Sequence, residues 1–170
     1  DVVLSRGLGD VYKRQGYESV PGQPMTETIL SGKVMRMNTS ADFKDAASYS
    51  VFDTTALGPE AVCFDGGAFD GRFVYFVPLL HGVVVRYDTQ GSFEDAASWE
   101  SFDARAVGMG MNVGAIFDGR WLYFCAYGHA SMVRYDTRKA FTDQSSWEQY
   151  DAAYTAVSYT HLRAHETTPH

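Results

Sequence analysis

The chain repeats itself at a fixed interval, and this limits its fold more than any other feature. Phe69-Asp-Gly-Arg72 returns as Phe117-Asp-Gly-Arg120, Arg86-Tyr-Asp-Thr89 as Arg134-Tyr-Asp-Thr137, and Ser98-Trp-Glu100 as Ser146-Trp-Glu148, each 48 residues later. A weaker copy lies 50 residues before the middle one, in Arg36-Met-Asn-Thr39, Asp45-Ala-Ala-Ser48 and Phe52-Asp53. Repeats of this length are supersecondary units that stack, each burying against its neighbours a surface it cannot bury alone. With short strands inside each unit, the period points to a β-propeller or a related array.

Each copy reads as four short strands. Gly67 to Phe69 is a brief apolar run, and Asp70-Gly71 is the favoured central pair of a type I′ hairpin. Phe73 to Val77 is β-branched and aromatic throughout and is closed by Pro78. His81-Gly82 makes the next turn, and Val83 to Tyr87 is the third strand. The polar connection Gly91 to Ser98 holds an Asp suited to capping one helical turn, and Trp99 to Phe102 is the fourth strand. The next copy follows the same plan from Gly114 to Tyr150. Strands apolar on both sides suit blades whose two faces pack against neighbouring blades. The expected fold is all-β, a partial β-propeller of four-stranded antiparallel blades, with two full blades and part of a third. The copies span about 16–63, 64–111 and 112–156. In the first, Gly16 to Pro24, within which Tyr17 to Pro21 echoes Tyr75 to Pro78, is predicted to be the remnant of the blade's second strand.

The two ends do not read as protein of the same origin. Ser5 to Gln15 back-translates, with permitted codons, to a DNA whose reverse complement in a shifted frame encodes Val157 to Glu166. Both resemble a translated transposase-type sequencing adapter in opposite orientations. Residues 1–15 and 157–170 are therefore expected to be non-native tails. The middle, 16–156, is expected to be a fragment of a larger protein, with further blades of the same chain as its partners. An open arc of blades would leave apolar faces exposed.

The blade pattern also carries a family resemblance. Tyr87-Asp88 followed by Trp99, after a hydrophobic strand and an Asp-Gly-Arg-x-x-Tyr segment, resembles a divergent kelch-type propeller repeat over Lys33 to Asp151. The interval from Tyr87 to Trp99 is longer than usual for kelch. Val77-Pro-Leu-Leu80 and Cys125-Ala-Tyr-Gly128 stand where those repeats place a double glycine. The resemblance implies interaction scaffolding in most members and enzymatic activity in a minority; fold alone does not choose.

Composition narrows the partners. The middle holds ten Lys and Arg against eighteen Asp and Glu, with no basic cluster, which argues against nucleic acid. No apolar run approaches the roughly 20 residues needed to span a bilayer, so no membrane insertion is expected. Cys63 and Cys125 fit no metal or redox spacing and read as small core hydrophobes. Gly108 to Gly114 is one residue too long for a dinucleotide loop and precedes a strand. No cofactor and no metal are expected.

Residues that recur at one blade position serve the blade. Arg86 and Arg134, flanked by strand hydrophobics, are predicted to pair with an Asp of their own or a neighbouring blade. Asp70 and Asp118 are selected by their turn. Function is sought instead in loops that break the symmetry, on the face shared by the second-to-third-strand loops and the blade-to-blade linkers. The candidate binding residues are His81, Arg105, Asn112, Tyr127 and His129. The two histidines are equivalent across copies and read more readily as turn-fixing hydrogen-bond formers than as ligand contacts. The expected function is a binding or interaction module recognising a protein or glycan. One alternative is a propeller-fold glycan hydrolase or lyase, for which Glu60 and Asp65 are the local carboxylates. The other is a structural spacer of a surface protein.

Overall fold

The computed structural model describes residues 30–151 with their side chains, and before them the backbone of four strands: β1 (Val2–Val3), β2 (Asp10–Arg14), β3 (Tyr17–Ser19) and β4 (Thr28–Leu30). The segment 157–170 and the loop 20–27 lie outside the described residues. The rest of the chain is β5 (Lys33–Asn38), β6 (Tyr49–Asp53), β7 (Phe64–Phe69), β8 (Phe73–Pro78), β9 (Val83–Asp88), β10 (Trp99–Asp103), β11 (Asn112–Phe117), β12 (Trp121–Ala126), β13 (Ser131–Asp136) and β14 (Trp147–Asp151). Single turns of 3-10 helix lie between some of them.

These strands form antiparallel four-stranded sheets, ordered β1-β2-β5-β6, β7-β8-β9-β10 and β11-β12-β13-β14. The last two are simple meanders, the connectivity of propeller blades. The repeat is kept residue by residue: Tyr75 lies opposite Arg86, and Arg86 opposite Glu100, in the middle blade. In the next, Tyr123 faces Arg134 and Arg134 faces Glu148. Two expectations need correction. In the first blade, β2 occupies the second-strand position beside β5, whereas Tyr17–Ser19 pairs with Thr28–Leu30 as a separate hairpin. The Asp-Gly-Arg turn is also shifted by one residue. Asp70 N–H bonds to the Phe73 carbonyl, so the two-residue loop is Gly71-Arg72, with Gly71 alone at positive φ. Asp70 stands just before the loop and caps it with its side chain.

The interlocking of the motifs explains why they recur together. Asp70 Oδ1 accepts from the Arg72 and Phe73 N–H groups at 2.8 and 2.7 Å, and Oδ2 accepts from the Tyr75 hydroxyl at 2.7 Å. Asp118 repeats all three bonds with Arg120, Trp121 and Tyr123, and these backbone donors hold its carboxyl below the usual range. Arg72 and Arg120 in turn grip Asp88 and Asp136. Arg86 and Arg134 therefore do not pair with an Asp, as expected from sequence; each meets the Glu directly across the ladder, Glu100 or Glu148. Trp99 and Trp147 donate their indole N–H to the Phe93 and Phe141 carbonyls. In the weaker copy Tyr49 substitutes for Trp and its hydroxyl donates to the Phe43 carbonyl. Asp45, Asp95 and Asp143 each cap the 3-10 turn before the outermost strand, bearing out the predicted cap.

The core lies between blades rather than within them. One cluster joins Val34 and Phe52 of the first blade to Val74, Phe76, Tyr87 and Trp99 of the second; the other joins Tyr75, Val77 and Val84 to Leu122, Phe124, Tyr135 and Trp147. Alternate residues of β8 thus feed opposite seams. Each seam has the same signature. Phe52 stacks on Trp99 with centroids 4.3 Å apart, and Phe102 on Trp147 at 4.6 Å. The Arg36 guanidinium lies 4.8 Å over Phe93, and that of Arg86 lies 4.4 Å over Phe141. At the inner edge β7 runs beside β11, and a methyl group on Gly66 would lie 2.8 Å from the Gly114 Cα.

Candidate functional site

The loops and linkers expected to share a face do meet. The Leu79 N–H donates to the Cys63 carbonyl at 2.8 Å and the Tyr127 N–H to the Met111 carbonyl at 2.9 Å, tying each second-to-third-strand loop to the linker entering its own blade. The linkers leaving the first two blades begin as 3-10 turns, Thr54–Leu57 and Ala104–Val107, capped by Asp53 and Asp103 through the Thr55 and Arg105 N–H groups.

In the middle blade the loop turns through His81-Gly82, both at φ 65°. Two successive positive φ values are what a type I′ turn requires. Gly82 is needed for space as well, because a methyl there would lie 2.7 Å from Arg105 Cγ. His81 Nδ1 sits 3.9 Å from Glu60 Oε1. The Glu60 carboxylate accepts from Arg105 at 3.1 and 2.6 Å, and Arg105 also donates to Asp103 at 2.8 and 2.7 Å. Bonds first to Asp103 and then to Glu60 push the guanidinium above its ordinary pKa, and Arg105 holds the Asp103 carboxyl below its own. The result is a bridge between consecutive linkers, edging a shallow cavity of about 180 Å³ beside Pro59 and Ser101.

The third blade builds its loop differently. His129 Nδ1 accepts from the Ser131 N–H at 3.2 Å, so a neutral ring carries its proton on Nε2, which donates to the Met111 carbonyl at 2.8 Å. His129 is a turn-fixing residue, the reading the sequence favoured. Tyr127 is 56% exposed, with the exposed Met111 side chain beside the same loop. Asn112 is a correction: it is 1% exposed, its amide donates to the Gly110 carbonyl, and it lies beneath the rim rather than on it. Four of the five candidates therefore form two neighbouring groups, His81 with Arg105 and Tyr127 with His129.

Of the two carboxylates considered for catalysis, Glu60 is engaged by Arg105, and Asp65 lies on the inner strand β7. Among the described residues no group of three or more His, Cys, Asp or Glu is placed to hold a metal ion. The Glu60–Arg105–Asp103 bridge was not anticipated. Its signal is present in the sequence as an Asp closing the fourth strand of each copy, at Asp53, Asp103 and Asp151. No protein-family model matches the chain, and no curated protein matches it.

Proposed function

We propose that the chain is a binding module of divergent kelch-like propeller blades that recognises a protein or glycan through the loop-and-linker face. The observation that carries this reading is the contrast between repeated and unrepeated groups. The recurring Asp, Arg, Tyr and Trp side chains are engaged in bonds within and between blades. Tyr127, which replaces Leu79 of the preceding copy, projects from the face instead. A ring with an apolar body and a polar tip is a common contact for mixed surfaces, and the ion bridge around Arg105 adds polar groups to the linkers of the same face. Loops held on a rigid scaffold are the usual place for such recognition.

A glycan array probed with the full chain, followed by calorimetric titration of the ligands found, tests the proposal. Tyr127→Ala is expected to weaken binding by about tenfold, equivalent to 1.4 kcal/mol, without changing the melting temperature. Binding indifferent to both Tyr127→Ala and Arg105→Ala would place recognition elsewhere. New reducing ends accumulating in the bound glycan would favour the enzymatic alternative.

A further inference from the structure

We infer that the outer face of the third blade is the seat of a further blade of the same repeat, one that brings a Trp or Tyr onto Tyr150 and a Phe under Arg134. The inference is independent of what the loop face binds. It follows from comparing two equivalent faces, one covered and one open. On the middle blade, Ala68, Tyr75, Val77 and Val84 are all buried against the third blade. Their counterparts 48 residues on are Ile116, Tyr123, Cys125 and Met132. Ile116 is 65% exposed and Met132 47%, and Tyr150, in the place of Phe102, is 56% exposed. The open face is as apolar as the covered one. It contains a groove of about 420 Å³ bordered by Tyr123, Met132, Arg134, Glu148 and Tyr150.

The occupant is defined by continuity with the two existing seams. At each, a ring near the end of the fourth strand stacks on the Trp of the following copy, as Phe52 does on Trp99 and Phe102 on Trp147. Tyr150 supplies that ring at the third face. At each seam an Arg of the third strand lies over the following copy's Phe, and Arg86 also donates to the following copy's Tyr135 hydroxyl at 3.3 Å. Arg134 is already held in the same pose. It stacks 4.0 Å over Trp121 as Arg86 does at 3.9 Å over Phe73, and it is paired with Glu148 as Arg86 is with Glu100. Its side chain is 39% exposed where that of Arg86 is 11%. Half of a seam is thus formed, and its complement is the leading face of a blade with Tyr, Phe and Trp at the positions of Tyr135, Phe141 and Trp147.

The test inserts a second copy of residues 104–151 after Asp151 of the full chain and follows thiol labelling at Cys125, whose counterpart Val77 is fully buried. Cys63→Ser, together with Val in place of the inserted copy's own cysteine, leaves Cys125 as the single thiol. Covering the face makes labelling depend on local opening, so the rate is expected to fall by about tenfold or more. Replacing the inserted copy's Trp with Ala should restore much of the rate. Equal labelling with and without the insertion overturns the inference, as does an inserted copy that remains protease-sensitive beside a folded third blade. Labelling of the uninserted chain that slows with rising protein concentration also overturns it, assigning the face to a second copy of the chain.

Discussion

Replacing Phe102 with alanine perturbs the joint between two blades while leaving every hairpin intact. Phe102 lies near the end of β10, stacked on Trp147 at 4.6 Å and edge-on to Phe141 at 6.2 Å. A fully buried Phe→Ala change costs about 3–5 kcal/mol. Phe102 is only half-buried, which brings the transfer share to about 1–1.5 kcal/mol. The two ring contacts add about 0.5–1.5 kcal/mol each. The expected loss is about 2–4 kcal/mol, a fall of about 1–2 M in the urea midpoint for an ordinary m-value. Tryptophan fluorescence reads it directly, since Trp147 lies in the altered seam. Tyr150→Ala is the internal control: it occupies the same repeat position with most of its side chain exposed, and should cost about 1 kcal/mol or less. A double-mutant cycle of Phe102→Ala with Trp147→Leu should return a coupling of about 0.5–1.5 kcal/mol. If Phe102→Ala shifts the midpoint no further than Tyr150→Ala, or the cycle shows no coupling, aromatic stacking does not join the blades.

Asp70→Ala removes the acceptor for two backbone N–H groups and for the buried Tyr75 hydroxyl. It should cost about 1–3 kcal/mol in urea titration, with Asp70→Asn recovering part of the loss. Gly66→Ala places a side chain at φ +81° and drives it into the Gly114 backbone, so a loss of more than about 1 kcal/mol is expected; a neutral result would mean the inner strands readily part. Acid should destabilise the fold. Arg72 holds Asp88 below its ordinary pKa, Arg120 does so for Asp136, and backbone donors do so for Asp143. The unfolded chain then binds more protons than the native one. Their contribution is complete above the unfolded carboxylate pKa of about 3.9 and is lost as pH falls through the native values. In alkali the sign reverses. Burial raises Tyr75 and pushes Tyr135 up to about 12, so their contribution holds below about pH 10 and fades above it. A melting temperature that rises on acidification below about pH 4 would contradict the carboxylate assignments.

The 48-residue period is enough to place the four strands of each later copy, because short apolar runs between turn residues leave few other solutions. Registers were harder to read. Asp-Gly commonly occupies the centre of a two-residue turn, but here the Asp side chain accepts from the backbone N–H groups two and three residues on, and the turn moves onward by one residue. The sequence points to some Asp of the same or a neighbouring blade as the partner of Arg86, whereas Glu100 becomes adjacent only through the β9–β10 ladder. Asn112 illustrates the same difficulty at the candidate site. Sequence position assigned it to a linker, but the bulge between Asn112 and Ala115 carries it into β11 and under the rim. The exposure of Tyr127 fits a simpler signal, since a tyrosine standing where the preceding copy has Leu79 stands out in a repeating chain.

The glycine contact between β7 and β11 acquires a geometric meaning beside the ring stacks on the far edge of the same seam. Backbones approach closely at one side of the seam between the second and third blades, with no side chain between Gly66 and Gly114, while Phe102 and Trp147 hold the other side apart. Such a layer is a wedge. Wedges of one shape laid side by side trace an arc of constant curvature, whose radius is set by how thin the narrow edge is relative to the wide one. A larger residue at the narrow edge would flatten that arc, and a smaller ring at the wide edge would tighten it. The curvature of the array is therefore controlled by a few atoms at two opposite margins of that seam.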